Sequence, residues 1–195
     1  DYMAYIVPGL IMMSVIINSY TNVSSSFFGS KFGRFIEEML VSPISNQTIL
    51  LGYVTGGVAR AMSVGIIVTI LSLFFTDLVI HNMFAVVSIT VLTAVLFSLL
   101  GFINGVYAKR FDDVSIVPTF VLTPLTYLGG VFFSIDLLPD FWAGVAQLNP
   151  ILYVVNAFRF GILGVSDISL GWAYGILISM TLVADVAAVR LLAIR

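Results

Sequence analysis

GSKFGRFIEEMLVSPISNQTILLGYVTGGV (29–58) lies between two long apolar segments and holds Lys31, Arg34 and the chain's two glutamates, Glu37 and Glu38. Only 9% of the 195 residues are charged, 60% are hydrophobic, and mean hydropathy is +1.13. Charge this sparse cannot coat a soluble globule, so the bilayer is the solvent for most of the surface. A chain so poor in charge that gathers four charged side chains between 31 and 38 does so where it leaves the membrane and meets something polar.

Outward from that stretch, five segments are long and apolar enough to cross about 30 Å of hydrocarbon, which takes roughly 20 helical residues. They run at about 6–28, 58–75, 83–107, 114–133 and 170–191. The predicted fold is all-α: a polytopic helical membrane protein forming one transmembrane domain over 1–195. Segment 141–163 is not counted as a span, because it carries Gln147, Asn149, Asn156 and Arg159, and Pro150 would break it midway. It reads as two short helices split at Asn149-Pro150, resting in or near the outer leaflet, with Trp142, Tyr153 and Trp172 at the interface.

Basic residues set the orientation. With alternating spans Lys31, Arg34, Arg60, Lys109, Arg110, Arg190 and Arg195 share one side, and only Arg159 falls on the other, beside Asp1, Asp77, Asp136, Asp140 and Asp167. Segment 29–58 is therefore cytoplasmic, Asp1 outside and Arg195 inside. An odd number of spans starting outside, in a chain beginning at Asp1, leads to the expectation that one earlier helix is missing.

Phe32, Phe35, Ile36, Met39 and Leu40 follow the apolar stripe of an amphipathic helix at about 31–42, with Arg34, Glu37 and Glu38 opposite and Pro43 as its stop. Ser45 or Asn46 can cap the helix that returns to the membrane. Such a helix could lie on the lipid surface or dock into a cytoplasmic partner. The adjacent glutamates favour docking, since anionic headgroups repel them. Gly52/Gly56, Gly101/Gly105 and Gly171/Gly175 are spaced for close helix approach within the chain. Asp185, alone inside a predicted span, reads as a snorkelling or packed aspartate rather than a proton relay. Lys109 to Asp113 form a tight inside turn; Pro118 and Pro124 can kink the following span, and Gly129-Gly130 can hinge it.

No cysteine and a single histidine, His81, exclude thiolate and multi-histidine metal sites. There is no phosphate loop, no H-E-x-x-H and no channel-type filter, so the chain is read as neither an ATPase nor any other enzyme, with no catalytic, metal or nucleic-acid site.

Ile6-Val-Pro-Gly-Leu10, FIEEMLVSPIS (35–45), GYVTGG (52–57), PLTYLGGVFFS (124–134), LPDFW and LNPILYVVNAFRFGILG (148–164), taken in this order, resemble ABC-2-type transporter permeases over essentially the whole chain. The resemblance implies six spans per subunit, a second permease subunit (a homodimer here) and two cytoplasmic ABC ATPase subunits that hold ATP and magnesium. It also implies an address in the bacterial inner membrane. It assigns the coupling helix to Phe35, Ile36, Glu37, Glu38, Met39 and Leu40 with Pro43 behind them, and the short outer helices to 139–164. The reading is the membrane-spanning half of an exporter with no cofactor of its own. A hydrophobic or amphiphilic cargo would pass Phe120, Tyr127, Phe132 and Phe133. The alternatives are an ion-coupled carrier, which needs Asp185, and a membrane anchor for a cytoplasmic partner.

Overall fold

The computed structural model describes residues 2–194 and forms a helical bundle with no strand among them. Its helices are α1 (Tyr2–Phe32), α2 (Phe35–Val41), α3 (Asn46–Ser72), α4 (Met83–Tyr107), α5 (Phe111–Val131), α6 (Asp140–Ala146), α7 (Pro150–Leu163) and α8 (Leu170–Ala193). Five of these, α1, α3, α4, α5 and α8, are long and apolar enough to cross a membrane. Asp1 and Arg195, assigned to opposite sides by the sequence, lie outside the described residues.

Helix starts follow from local capping chemistry. Ser45 accepts from the Thr48 amide at 3.2 Å, Asn82 from Ala85 at 3.1 Å and Asn149 from Ile151 at 3.0 Å, each satisfying an orphan amide of α3, α4 or α7. Pro150 follows Asn149 at the first helical position, where a missing N–H does no harm. The proline that argued against a span at 141–163 is thus a helix start.

The bundle is centred on α4. Its most apolar window is 56% buried, against 22% for α3 and α8, whose outer faces belong to lipid. α1 lies against α4 because position 101 has no side chain: a Cβ at Gly101 would strike the Tyr20 carbonyl, and one at Gly105 would sit 3.0 Å from the Ser24 carbonyl. Phe27 fills the adjoining space, its ring centroid 4.4 Å from that of Phe102. The other two glycine pairs do not pack helices here. Nothing comes within 4 Å of a Cβ built at Gly52, Gly171 or Gly175, and the nearest atom to Gly56 is Asn22 Oδ1 at 3.9 Å.

Several boundaries differ from the sequence expectation. α1 runs through Phe32, so the amphipathic helix is only seven residues long and begins at Phe35 rather than near 31. α3 begins at Asn46 with Ser45 as its cap, as the sequence suggested, and runs without a break into the stretch expected to cross the membrane from 58. Gly52 to Arg60 are consequently helical. α5 keeps its place but is wound unevenly. Pro118 and Pro124 lack amide donors, and the helix answers with wider turns at Pro118–Leu122 and Tyr127–Val131. Thr123 Oγ1 donates to the Pro118 carbonyl at 2.9 Å and Thr126 Oγ1 to the Leu122 carbonyl at 2.6 Å. Gly130 (φ 77°) ends α5, a conformation that costs L side chains about 1 kcal/mol or more.

The two short helices expected on either side of Asn149-Pro150 are α6 and α7, and α7 is buried along almost its whole length against α1, α4, α8 and the end of α5. Tyr153 belongs to this interior, its hydroxyl donating to the Gln147 carbonyl at 2.7 Å, whereas Trp142 and Trp172 are exposed as expected.

Candidate functional site: an elbow, a groove and an arginine cap

The elbow forms where α1 stops. The Gly33 amide donates to Gly29 at 2.9 Å, and Arg34 then adopts φ 63°, the left-handed region in which the chain reverses into α2. Lys31 holds the α1 end in place: its Nζ donates to the Val106 and Ala108 carbonyls at 2.8 and 2.6 Å, neutralising the carbonyl end of α4. On α2, Ile36 (7% exposed) is in the core and Met39 and Leu40 pack beside it, while Glu37 and Glu38 face away. The amphipathic stripe is therefore only half inward. Phe32 and Phe35 are 70% and 61% exposed, and Val41 and Ile44 nearby in the chain are exposed as well. Pro43 follows the helix, and Ser42 closes it by donating its amide to Glu38 at 3.2 Å.

Two bonds join this elbow to the spans. Gln47, in the first turn of α3, donates to Asp185 Oδ1 on α8 at 3.1 Å, and Tyr53 donates to Ser30 Oγ on α1 at 2.8 Å. Asp185 is thus packed, not solvated alone. Beyond Lys109, the Asp113 carboxylate accepts from the Lys109 and Arg110 amides at 2.8 and 2.9 Å, closing the tight turn into α5.

The groove is a cavity of about 480 Å³ between α1, α3 and α5. Thr21, Asn22, Ser25, Arg60, Ser115, Thr119 and Thr123 supply its polar wall. None of these was singled out as a site residue from sequence, and Arg60 was counted only toward orientation. The signal available was an arginine in the apolar run GGVARAMSVG, once that run is seen to be inside a helix.

At the end of the bundle opposite the elbow, Arg159 of α7 is 1% exposed. Its Nη2 donates to the Gly130 carbonyl at 2.8 Å, its Nε to the Tyr5 carbonyl at 3.3 Å, and its guanidinium lies 3.8 Å from the Tyr5 ring centroid. A cation thereby caps the carbonyl end of α5 and ties it to α1 and α7. Of the four aromatics proposed from sequence to line a path, Tyr127 and Phe132 stack with centroids 5.5 Å apart. Phe120 points outward from α5, and Phe133 lines a separate 530 Å³ apolar cavity with Leu138 and Trp142.

Residues 1–163 match the family described as ABC-2 type transporter. The chain is 60% identical over 178 residues, 91% of its length, to 70% of the inner membrane transport permease YadH of Escherichia coli K12. It is 25% identical over 162 residues, 82% of its length, to 61% of nodulation protein J of Rhizobium leguminosarum bv. trifolii.

Proposed function

We propose that this chain, which belongs to the ABC-2 type transporter family, is the membrane half of an ATP-driven exporter. It is a multi-pass inner-membrane permease, and its transport role is shared with its relatives. A separate cytoplasmic ABC subunit would bind and hydrolyse ATP with magnesium, and two permease copies would pair across the membrane.

The observation that carries this reading is the anchored but outward-facing α2. Ile36 fixes the helix to the bundle core, while Glu37 and Glu38 are held outward and Phe32, Phe35, Val41 and Ile44 are exposed. An exposed face carrying two adjacent negative charges, with exposed apolar residues nearby in the chain, suits a groove with a basic rim better than an anionic lipid surface. Motion imposed on α2 has a stiff route into the bundle, because the elbow is bonded to α4 through Lys31 and to α8 through Gln47. Closure of ATPase subunits on ATP would move α2 and shift the spans between inward- and outward-open arrangements. The cargo would be hydrophobic or amphiphilic.

The test is co-purification of the permease with its ATPase subunit. Replacing Glu37 and Glu38 together by Lys is expected to weaken the complex about tenfold or more by reversing two interfacial charges. Unchanged co-purification and unchanged ATP hydrolysis would remove α2 from the coupling role.

A further inference from the structure

The last turn of α5 contains a joint. Its winding is wide at Tyr127–Val131, and Gly129 (φ −80°, ψ 18°) and Gly130 (φ 77°) leave helical geometry there. Two adjacent glycines at the end of an element absorb backbone rotation that side chains would resist. Below the joint α5 is fixed, Asn149 Nδ2 donating to the Leu125 carbonyl at 2.7 Å. Beyond it the chain is hemmed in on one side only. A Cβ at Gly9 of α1 would lie 2.9 Å from Val131 Cα, and one at Gly129 would lie 2.7 Å from Ile151 of α7. On another side Phe133 faces the 530 Å³ apolar cavity, whose far wall includes Trp142 and Val145 of α6. That helix has no buried residue, so no close-packed wall stands behind the end of α5.

Polar bonds keep this end against α1 and α7. Arg159 Nη2 donates to the Gly130 carbonyl at 2.8 Å, and the Tyr2 hydroxyl to the Phe132 carbonyl at 3.1 Å. Asp167, in the loop between α7 and α8, contributes most: its Oδ2 accepts from Ser134 Oγ at 2.8 Å and from the Ile135 amide at 3.3 Å. The Asp167 amide in turn donates to Asn156 Oδ1 on α7 at 3.1 Å, which fixes the carboxylate to the bundle. Asp167 also attracts the enclosed Arg159 guanidinium, although the two form no ion pair among the described residues. One group is left over. Tyr5 Oη is enclosed beside Ser134 and Arg159 and makes no hydrogen bond to a described residue. An enclosed hydroxyl without a partner favours leaving this arrangement, so the closed end is held by its bonds against an opposing cost.

We propose that Asp167 is a latch on the Gly129-Gly130 joint. Bonded to Ser134 and Ile135, it holds the end of α5 against α1 and α7; released, it lets that end swing toward the apolar cavity and uncovers Val131. In an exporter the end opposite the elbow is where cargo leaves, so release belongs to the outward-open arrangement. That last step rests on the exporter reading, whereas the latch rests on the bonds.

The test uses the full permease in detergent with Val131→Cys as its single thiol, since the chain has no cysteine and Val131 is fully enclosed. Labelling by a maleimide is expected to be slow. Adding Asp167→Ala removes two hydrogen bonds to a carboxylate and should speed it about tenfold or more. Ser134→Ala removes one and should speed it by a smaller factor, and Asp167→Asn, which keeps an acceptor oxygen, should fall closer to the parent. Ala94→Cys, enclosed in α4, serves as the control and should label at the same slow rate with or without Asp167→Ala. Equal labelling of Val131→Cys across these backgrounds would overturn the latch. Matching acceleration at Ala94→Cys would overturn it too, by showing general loosening. In the permease–ATPase complex ATP is expected to speed labelling of Val131→Cys in the otherwise unchanged chain. A complex that hydrolyses ATP at an unchanged labelling rate would remove the latch from the transport cycle. Absence of any stimulated ATP hydrolysis would instead sink the exporter reading, with the detergent result still deciding the latch.

Discussion

Arg159 and Asp185 are both charged side chains set against apolar helices, and their surroundings give them different weights. Arg159 is fully enclosed, bonded to the Gly130 and Tyr5 carbonyls and seated on the Tyr5 ring. Replacing it by Met keeps the volume but strands carbonyls at the end of α5. Arg159→Met is expected to destabilise by about 3–5 kcal/mol, as for other broken buried polar sites, and to lower the thermal midpoint in detergent markedly. An unchanged midpoint would show that water reaches the site. Asp185 is half-buried and has one side-chain partner, Gln47 Nε2 at 3.1 Å. Asp185→Asn retains the acceptor and is expected to change stability by less than about 1 kcal/mol while transport persists. Loss of transport in that variant, with ATP hydrolysis intact, would favour a proton-coupled carrier instead. Neither partner of these residues was legible in the sequence, because Gln47 and Asp185 are 138 positions apart and Arg159 and Gly130 are 29 apart.

At the scale of helices, the sequence was most legible where the rule is local. The apolar run 83–107 is α4 with the same bounds, since Asn82 caps its start and nothing interrupts it. Pro43 and Pro150 marked an end and a start for simple steric and donor reasons. Glycine spacing was less informative, because it does not say which face meets a neighbour. Gly101 and Gly105 face α1, whereas Gly171 and Gly175 face open space. The contrast is testable by thermal unfolding. Gly101→Ala must displace the Tyr20 backbone and is expected to cost about 1–3 kcal/mol, while Gly171→Ala should be neutral or slightly stabilising through helix propensity. Similar effects at both positions would argue against the α1–α4 packing described. The polar residues that argued against a span at 141–163 are satisfied inside the protein, Asn156 Oδ1 accepting from the Asp167 amide at 3.1 Å and Arg159 fully enclosed.

For the whole molecule, five apolar runs were enough to give a polytopic helical membrane protein, while its bacterial inner-membrane address was legible only through the family resemblance. What they could not give was the polar groove, which exists only once α1, α3 and α5 are brought together, nor the anchoring of the elbow through Lys31 and Gln47. Under the proposed function these form one device: an elbow moved from the cytoplasm, bonds from it into the spans, and a polar groove among those spans. Its central claim is that α2 stands in the cytoplasm against a separate ATPase. The chain contains no cysteine, so Glu37→Cys introduces a single thiol. A membrane-impermeant maleimide is expected to leave that thiol unlabelled in intact cells, to label it in inverted vesicles, and to label it less when the ATPase subunit is bound. Labelling from the periplasmic side of intact cells would contradict the account.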